Sequence, residues 1–262
     1  MSALYDRIGR TYDHGRRADS RIFDPLADHL GPAHAGPVLD VGCGSGNYTA
    51  AMAGKGYTLT GLDVSTGMLA KARAKAPGIE FVQGSAMELP FPDAAFPRAM
   101  CTLAAHHFPD RRTAFAEVRR VLSSGPFVLF TAFAEQMECY WLGRYWPKTM
   151  ERGLAQMSTE ADWRAELASA GFGSVETVPW FVPPDLTDLM WYAGKHRPEL
   201  YFDPAIRACT SAFADLAEPE EVEAGLARLR ADLDSGAFAD VLAEAGHDGG
   251  DYAFVIARPA SA

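Results

Sequence analysis

The sequence predicts an α/β protein built on a doubly wound, mostly parallel sheet with helical caps. Three observations carry that prediction. First, Val38-Leu39-Asp40-Val41 is a short apolar run that leads into Gly42-Cys43-Gly44-Ser45-Gly46, and an alanine-rich helical stretch starts near Tyr48. A buried strand feeding a glycine turn and a helix start is a binding site made of backbone. Glycine permits positive φ and close approach of a ligand, and the first helical N–H groups have no partner inside the helix. Second, the apolar run from Tyr57 to Leu62 ends in Asp63, about twenty residues past the first glycine. A doubly wound sheet puts a carboxylate there, where it can accept hydrogen bonds from ribose hydroxyls. Third, strand-like and helix-like stretches keep alternating as far as Ala132, the pattern of parallel strands joined by crossover helices.

Residues 1–36 precede the first sheet strand and read as an N-terminal helical cover. Leu4, Ile8 and Tyr12 share helical spacing, as do Ile22, Leu26 and Leu30. These helices either pack on the sheet edge or close as a lid. Arg7, Arg10, Arg16, Arg17 and Arg21 make the stretch locally basic. Arg16 and Arg17 are candidates to hold an anionic substrate group, with a solvated arginine face as the alternative.

The core is expected over 37–182. Strand, glycine turn and helix run from Val38 to about Lys55. The next strand and helix run from Tyr57 to Ala76, with Ser65 as the helix cap and Met68, Leu69, Ala72 and Ala76 on one face. Pro77-Gly78 breaks the chain before a third strand, Ile79 to Gln83. Gly84-Ser85-Ala86-Met87-Glu88 then stands at the carboxyl end of that strand, the binding edge of such a sheet. The fourth strand reads Ala99 to Leu103, just after Pro97, which has no ladder donor and suits a strand start. His106 and His107 follow on the same edge. A helix from Arg111 to Leu122, the turn Ser123-Ser124-Gly125-Pro126 and a fifth strand, Phe127 to Ala132, complete the alternation.

An insertion over 133–158 is rich in aromatic and sulfur side chains: Met137, Tyr140, Trp141, Tyr145, Trp146, Met150 and Met157. A long connection at the binding edge is usually functional, so Tyr140, Trp141 and Tyr145 are candidates to line an apolar substrate pocket. A packed helical excursion is the alternative. A helix from Thr159 to Ala170 ends at Gly171, and a sixth strand covers Ser174 to Val182. The last core strand and tail occupy 251–262, and about seventy mostly helical residues, 183–250, lie between these strands. In that insertion Val222, Leu226, Leu229 and Leu233 form one apolar face, and Trp191, Tyr192, His196, Tyr201 and Phe202 an aromatic cluster. It reads as a substrate cap, with a homodimer interface as the competing explanation.

Four segments together resemble the class I S-adenosylmethionine-dependent methyltransferases. They are Leu39-Asp40-Val41-Gly42-Cys43-Gly44-Ser45-Gly46, Gly61-Leu62-Asp63-Val64-Ser65, Gln83-Gly84-Ser85-Ala86-Met87-Glu88-Leu89-Pro90-Phe91 and His106-His107-Phe108-Pro109-Asp110. The likeness points to the small-molecule branch that includes the ubiquinone and menaquinone methyltransferases. It covers Val38 to Thr131 and, more loosely, the whole chain. It implies a seven-stranded Rossmann-like sheet with an antiparallel final pair, S-adenosylmethionine as cofactor and a small, partly apolar substrate methylated on oxygen, nitrogen or carbon. It also implies cofactor contacts from Gly42, Gly44, Gly46, Asp63, Val64, Met68, Ser85 and Ala86. Tyr12 is then expected near the sulfonium, and Asp40 is expected to orient the methionyl amino group through water. Three features depart from the family pattern. Ser85 stands where an acid usually bonds the adenine amino group, which implies a weaker anchor. Phe96-Pro97-Arg98 replaces a Phe-Asp start to the fourth strand, and Ser123-Ser124-Gly125-Pro126 replaces a Pro-Gly-Gly turn.

Bulk properties narrow the function classes. A chain of 262 residues, 48% apolar and 22% charged, can bury a full α/β core. Its net charge of -10 argues against a nucleic-acid substrate, because phosphate contacts need clustered Lys and Arg. No run is long and apolar enough to span a membrane, and the first residues lack a signal-peptide stretch. Cys43, Cys101, Cys139 and Cys209 show no paired or metal-like spacing. A reduced, cytoplasmic setting without a metal site is expected.

A sulfonium methyl group is already activated, so positioning and exclusion of water can supply most of the acceleration. A base is needed only for an acceptor that is protonated at neutral pH, and a neutral histidine near its usual pKa suits that task. His106 is the catalytic candidate and His107 a substrate contact; two structural histidines are the alternative. A noncatalytic cofactor-binding or regulatory protein on the same scaffold is the competing function. The three-glycine spacing and the lack of a Tyr-x-x-x-Lys pair argue against a nicotinamide oxidoreductase.

Overall fold

The computed structural model describes residues 12–260. Leu4, Arg7, Ile8 and Arg10 lie outside the described residues. The seven strands are β1 (Val38–Val41), β2 (Leu59–Asp63), β3 (Glu80–Gln83), β4 (Arg98–Thr102), β5 (Phe127–Thr131), β6 (Phe172–Trp180) and β7 (Tyr252–Pro259), in the order β3-β2-β1-β4-β5-β7-β6. β1 to β5 are parallel, and β7 runs antiparallel to both β5 and β6. The winding direction reverses between β1 and β4. In such sheets the crevice outside the carboxyl ends of those two strands is the binding position. The glycine turn leaves β1 there, and Leu103 leaves β4 there with φ of 52°. A β-carbon-bearing residue in the left-handed region is uncommon, and such strain clusters at functional sites.

Alternate strand residues feed opposite faces. Val38, Met100, Val128, Phe130 and Ile256 join Ile22, Leu26, Leu30 and Met52 on one side of the sheet. Leu39, Val41, Ala99, Cys101, Leu129 and Val255 join Phe115, Val118, Trp163 and Leu167 on the other. Helix Ser20–Leu30 therefore covers a sheet face, against β4 and β5, and not an edge. The helix starts are capped as their sequences suggest: Ser65, Asp110 and Thr159 each accept a bond from the backbone N–H three residues on.

Arg98, the first residue of β4, is 3% exposed. Its Nη1 donates to the carbonyls of Leu30 (3.1 Å), Gly31 (3.0 Å) and Pro32 (2.8 Å), and its Nη2 donates to Ala33 (3.4 Å) and Gly36. One guanidinium thus satisfies the carboxyl end of helix Ser20–Leu30 and the loop that enters β1, and it lies over the Tyr57 ring. Pro97 sits just outside the strand, so its missing donor costs the ladder nothing.

The aromatic insertion folds into three short helices, Ala134–Glu138, Leu142–Tyr145 and Pro147–Leu154. Much of it is core. Tyr140 stacks on Tyr192 with centroids 3.9 Å apart, and Trp141 meets Tyr145, Tyr201 and Phe238 edge-on. Helix Pro219–Ser235 turns Leu229 fully inward and rests Leu226 and Leu233 on the same cluster, so the chain itself covers that apolar face. The approach is close at Gly225, where a β-carbon would stand 2.2 Å from Trp146 Nε1 and 2.7 Å from the Tyr145 carbonyl. Gly225→Ala is expected to cost about 1–3 kcal/mol, the usual range for overpacking. Urea unfolding measures it, and an unchanged midpoint would show that the helix shifts without penalty.

Candidate active site

Two cavities open at the switch point. The first, about 350 Å³, is lined by the glycine turn, Asp40, Asp63, Val64, Met68, Ser85, Ala86 and Met87, with Tyr12, Arg16, His107 and Asp188 around it. The second, about 100 Å³, is lined by His106, Tyr140, Trp191, Tyr252, three methionines and the 209–212 stretch. Tyr12, Arg16, Leu103 and His107 belong to both walls.

The glycine turn is held from below by β2. Gly42 N and Cys43 N both donate to the Leu62 carbonyl, at 2.7 and 3.0 Å, and Gly44 N donates to Asp63 Oδ2 at 2.9 Å. Asp63 Oδ1 accepts from Ser65 N at 2.8 Å. Two backbone N–H groups therefore fix the plane of the carboxylate at the end of β2. Gly42 has φ of 75°, and a β-carbon there would lie 2.6 Å from that of Ala104, so only glycine fits. Gly44 has open space where its β-carbon would project.

Asp40 is 1% exposed. Its Oδ2 accepts from Thr49 Oγ1 at 2.6 Å, while Oδ1 is buried with no hydrogen-bond partner among the described residues. Burial pushes its pKa up to about 7; the Thr49 bond works against that rise, and the Asp63 charge adds to it. Val64 is 43% exposed although apolar, and it faces the first cavity. Ser85 lines the same wall, with its Oγ accepting from Met87 N at 3.2 Å.

The N-terminal segment closes one side. Arg16 forms a two-bond ion pair with Asp188, Nε to Oδ1 at 2.5 Å and Nη2 to Oδ2 at 3.2 Å, and Tyr48 donates to Asp188 Oδ2 at 2.8 Å. Asp13 accepts from Ser45 Oγ at 2.7 Å and pairs with Lys71 and Lys75. Across the site the rings of His106 and His107 lie 4.0 Å apart. Burial drives His107 down to about 4, with the Arg16 charge adding to the fall. Burial also holds His106 well below the ordinary histidine range, helped by the charges of His107 and Arg111. Both rings are neutral at pH 7, and neither is near the usual histidine pKa.

Four candidates stand off the cavities. Gly46 lies behind the turn, where its β-carbon would meet that of Ala72 at 2.9 Å, so it closes the turn against helix Thr66–Lys75. Arg17 is exposed and lines neither cavity. Trp141 is core, with Nε1 donating to the Lys195 carbonyl at 3.1 Å, and Tyr145 donates to Asp232 Oδ2 at 2.8 Å. Burying these rings in the chain's own core outweighs leaving them on a pocket wall. Arg16 reaches both walls, but its charge is taken by Asp188. Sequence reasoning missed Asp188, which sits in a loop of the insertion with no periodicity to mark it. Trp191 was visible only as one member of an aromatic cluster.

A family model described as Methyltransferase domain matches residues 39–130. The malonyl-[acyl-carrier protein] O-methyltransferase of Erwinia pyrifoliae is 33% identical over 135 residues, 52% of each chain. The chain thus spans about half the length of the curated relatives it matches. A crystal structure attributed to a methyltransferase of an antibiotic biosynthesis pathway in Anabaena variabilis is 31% identical, with a TM-score of 0.83 over 93% of this chain and 98% of that one. The [4+2]-cyclase SpnF, 21% identical with a TM-score of 0.64 over 100% of this chain and 95% of that one, shares the fold alone. The switch-point cavity with its glycine turn and strand-end Asp63, the match over 39–130 and the near-complete likeness to the Anabaena structure agree: the chain belongs to the class I S-adenosylmethionine-dependent methyltransferases.

Proposed function

We propose that the protein transfers the methyl group of S-adenosylmethionine to a small, partly apolar acceptor, on oxygen, nitrogen or carbon, by in-line displacement. The observation that carries this reading is the wall shared by the two cavities. One cavity presents the glycine turn and Asp63, the other an apolar chamber, and they meet at Tyr12, Leu103 and His107. The volume of the first lies in the ordinary range for ligand pockets.

The residues present fit the cofactor. Asp63 turns a fixed carboxylate toward the cavity, and each oxygen has lone pairs for a ribose hydroxyl. The buried Oδ1 of Asp40 suits an ammonium group or its bound water. Val64 and Met68 offer apolar surface to a purine, and the backbone around Ser85 and Ala86 suits its edge. When bound, the cofactor supplies an activated methyl group on a sulfonium. The chain then positions and dries the site: Tyr12 and Arg16 cover it from the N-terminal side, while Asp188 and the 209–212 stretch close it from the 183–250 insertion, which serves as a substrate cap. His106 and His107 are too weakly basic to ionise an acceptor beforehand. For a neutral oxygen acceptor, proton loss follows bond formation: the methylated oxygen is a strongly acidic oxonium, and neutral His107 or water suffices to take its proton, whereas an amine acceptor must arrive unprotonated.

Calorimetric titration with S-adenosylhomocysteine tests the cofactor assignment. Saturable binding is expected, and Asp63→Ala is expected to weaken it at least tenfold. Each hydrogen bond to a charged group is worth about 1.5–3 kcal/mol, and about 1.4 kcal/mol is tenfold. Since Asp63 also holds the turn, circular dichroism must show the variant folded. No binding by folded wild type would overturn the assignment.

A further inference from the structure

We propose that the second cavity is an acceptor subsite for an uncharged, ring-sized molecule with one hydrogen-bonding group, read by Trp191 Nε1 and His106 Nδ1. The inference deepens the methyl-transfer reading and rests on it.

Among the described residues that line this cavity, Arg16 is the one carrying a formal charge at neutral pH. That charge is already spent on Asp188, which is 1% exposed and also holds Tyr48. An anionic acceptor would have to share Arg16 with Asp188, whose carboxylate already offsets that charge, or pull it away and strand a buried carboxylate, which is strongly unfavourable. A cationic acceptor finds no carboxylate on this wall. Either ion would be buried without a counter-charge, which costs far more than burying a neutral group.

His106 Nδ1 and Trp191 Nε1 are both buried without a hydrogen-bond partner among the described residues, and both side chains line this cavity. The other polar side chains on the wall include the exposed Gln156 and half-buried Ser211, which water can satisfy, and several that are engaged. Tyr140 donates to the Asp251 carbonyl, Thr210 to the Arg207 carbonyl, and the Tyr252 hydroxyl accepts from Tyr192 N. Buried polar groups are nearly always satisfied, so two orphans on side chains that line one chamber are the groups a ligand's polar atom would meet. The indole N–H can only donate, whereas a neutral imidazole offers one donor and one acceptor nitrogen. Together they suit a group that both accepts and donates, such as a hydroxyl.

Shape supplies the rest. The chamber is less than a third the volume of its neighbour and is walled by Met137, Met157 and Met190 beside the Tyr140 and Trp191 rings. Methionine and aromatic walls favour a flat apolar body.

The test uses three one-ring probes of similar size and different charge at pH 7: p-cresol, benzoate and benzylamine. Each is titrated into the protein saturated with S-adenosylhomocysteine. p-Cresol is expected to bind saturably and at least tenfold more tightly than either ion. Trp191→Phe keeps the ring and deletes the N–H, and it is expected to weaken p-cresol at least threefold. Titration of S-adenosylhomocysteine into the same variant, with a thermal melt, separates loss of the acceptor contact from loss of cofactor or fold. Benzoate binding as tightly as p-cresol would mean that the Arg16–Asp188 pair opens for anions, and it overturns the proposal. So do equal binding of all three probes, binding of none, and an unchanged affinity in a folded Trp191→Phe. Failure of wild type to bind S-adenosylhomocysteine appears before any probe is added; it defeats the cofactor reading and this proposal with it.

Discussion

Arg98→Met is expected to lower folding stability by about 3–5 kcal/mol, the cost of leaving several buried carbonyls without their donor. The methionine stem replaces most of the packing, so the loss measures the polar contacts. Five carbonyls at the end of helix Ser20–Leu30 and in the loop before β1 would lose the guanidinium at once, and among the described residues only those of Gly31, held by Tyr57 Oη, and Pro32, held by Ala35 N, keep another donor. Each unsatisfied buried group costs about 1–3 kcal/mol, and water entering the loosened loop recovers part of that. For a chain of this size 1 kcal/mol moves the melting temperature by about 2–4 °C, so a drop of roughly 6–20 °C is expected. Arg98→Lys should fall between, because one ammonium cannot span the fan of carbonyls. A methionine variant melting within 2–3 °C of wild type would mean that the loop is not held by this side chain.

The second large effect has the opposite sign. Asp40→Asn is expected to stabilise the cofactor-free protein by roughly 2–4 kcal/mol at pH 8. The carboxyl has a folded-state pKa of about 7 against an ordinary 3.8, because burial disfavours its charge. The folded protein therefore binds this proton more tightly than the unfolded chain. Its favourable contribution is complete below pH 4, declines as pH rises through the window from about 4 to 7, and is absent above it. Asparagine is neutral throughout and can still accept from Thr49. The stability difference between variant and wild type should thus grow across that window and level off above it. His107, with its folded-state pKa near 4, acts in the reverse sense, losing stability as pH falls from 6.5 toward 4. That effect is common to both proteins and cancels in the difference. Urea melts at several pH values measure it, and a flat difference would show that Asp40 is not a buried, strained carboxyl. The same variant should bind S-adenosylhomocysteine several-fold more weakly, since the orphaned Oδ1 is read as a cofactor contact.

Much of the fold was legible because it is periodic. Ile22, Leu26 and Leu30 at helical spacing, Val38 to Val41 before three glycines, and an acid closing the second strand are local patterns, and each sits where it was expected within a residue or two. Arg98 was not legible. A lone arginine at a strand start reads as exposed, and only the return of the 30–36 loop across β4 makes it the cap of a distant helix. Trp141 and Tyr145 looked like pocket wall because aromatic content does not say which side a ring faces. The 183–250 insertion packs over them and makes them core.

The sequence by itself determined the sheet, its binding edge and the backbone cradle, because strand periodicity, glycine φ values and a strand-end carboxylate are properties of neighbouring residues. The tertiary structure alone decided the character of the second chamber. Arg16 meets Asp188 across 172 positions, and Trp191 comes to stand beside Tyr140 from another insertion. Burial, which no local pattern encodes, then sets both histidines neutral and holds Asp40 in its protonated form up to about pH 7.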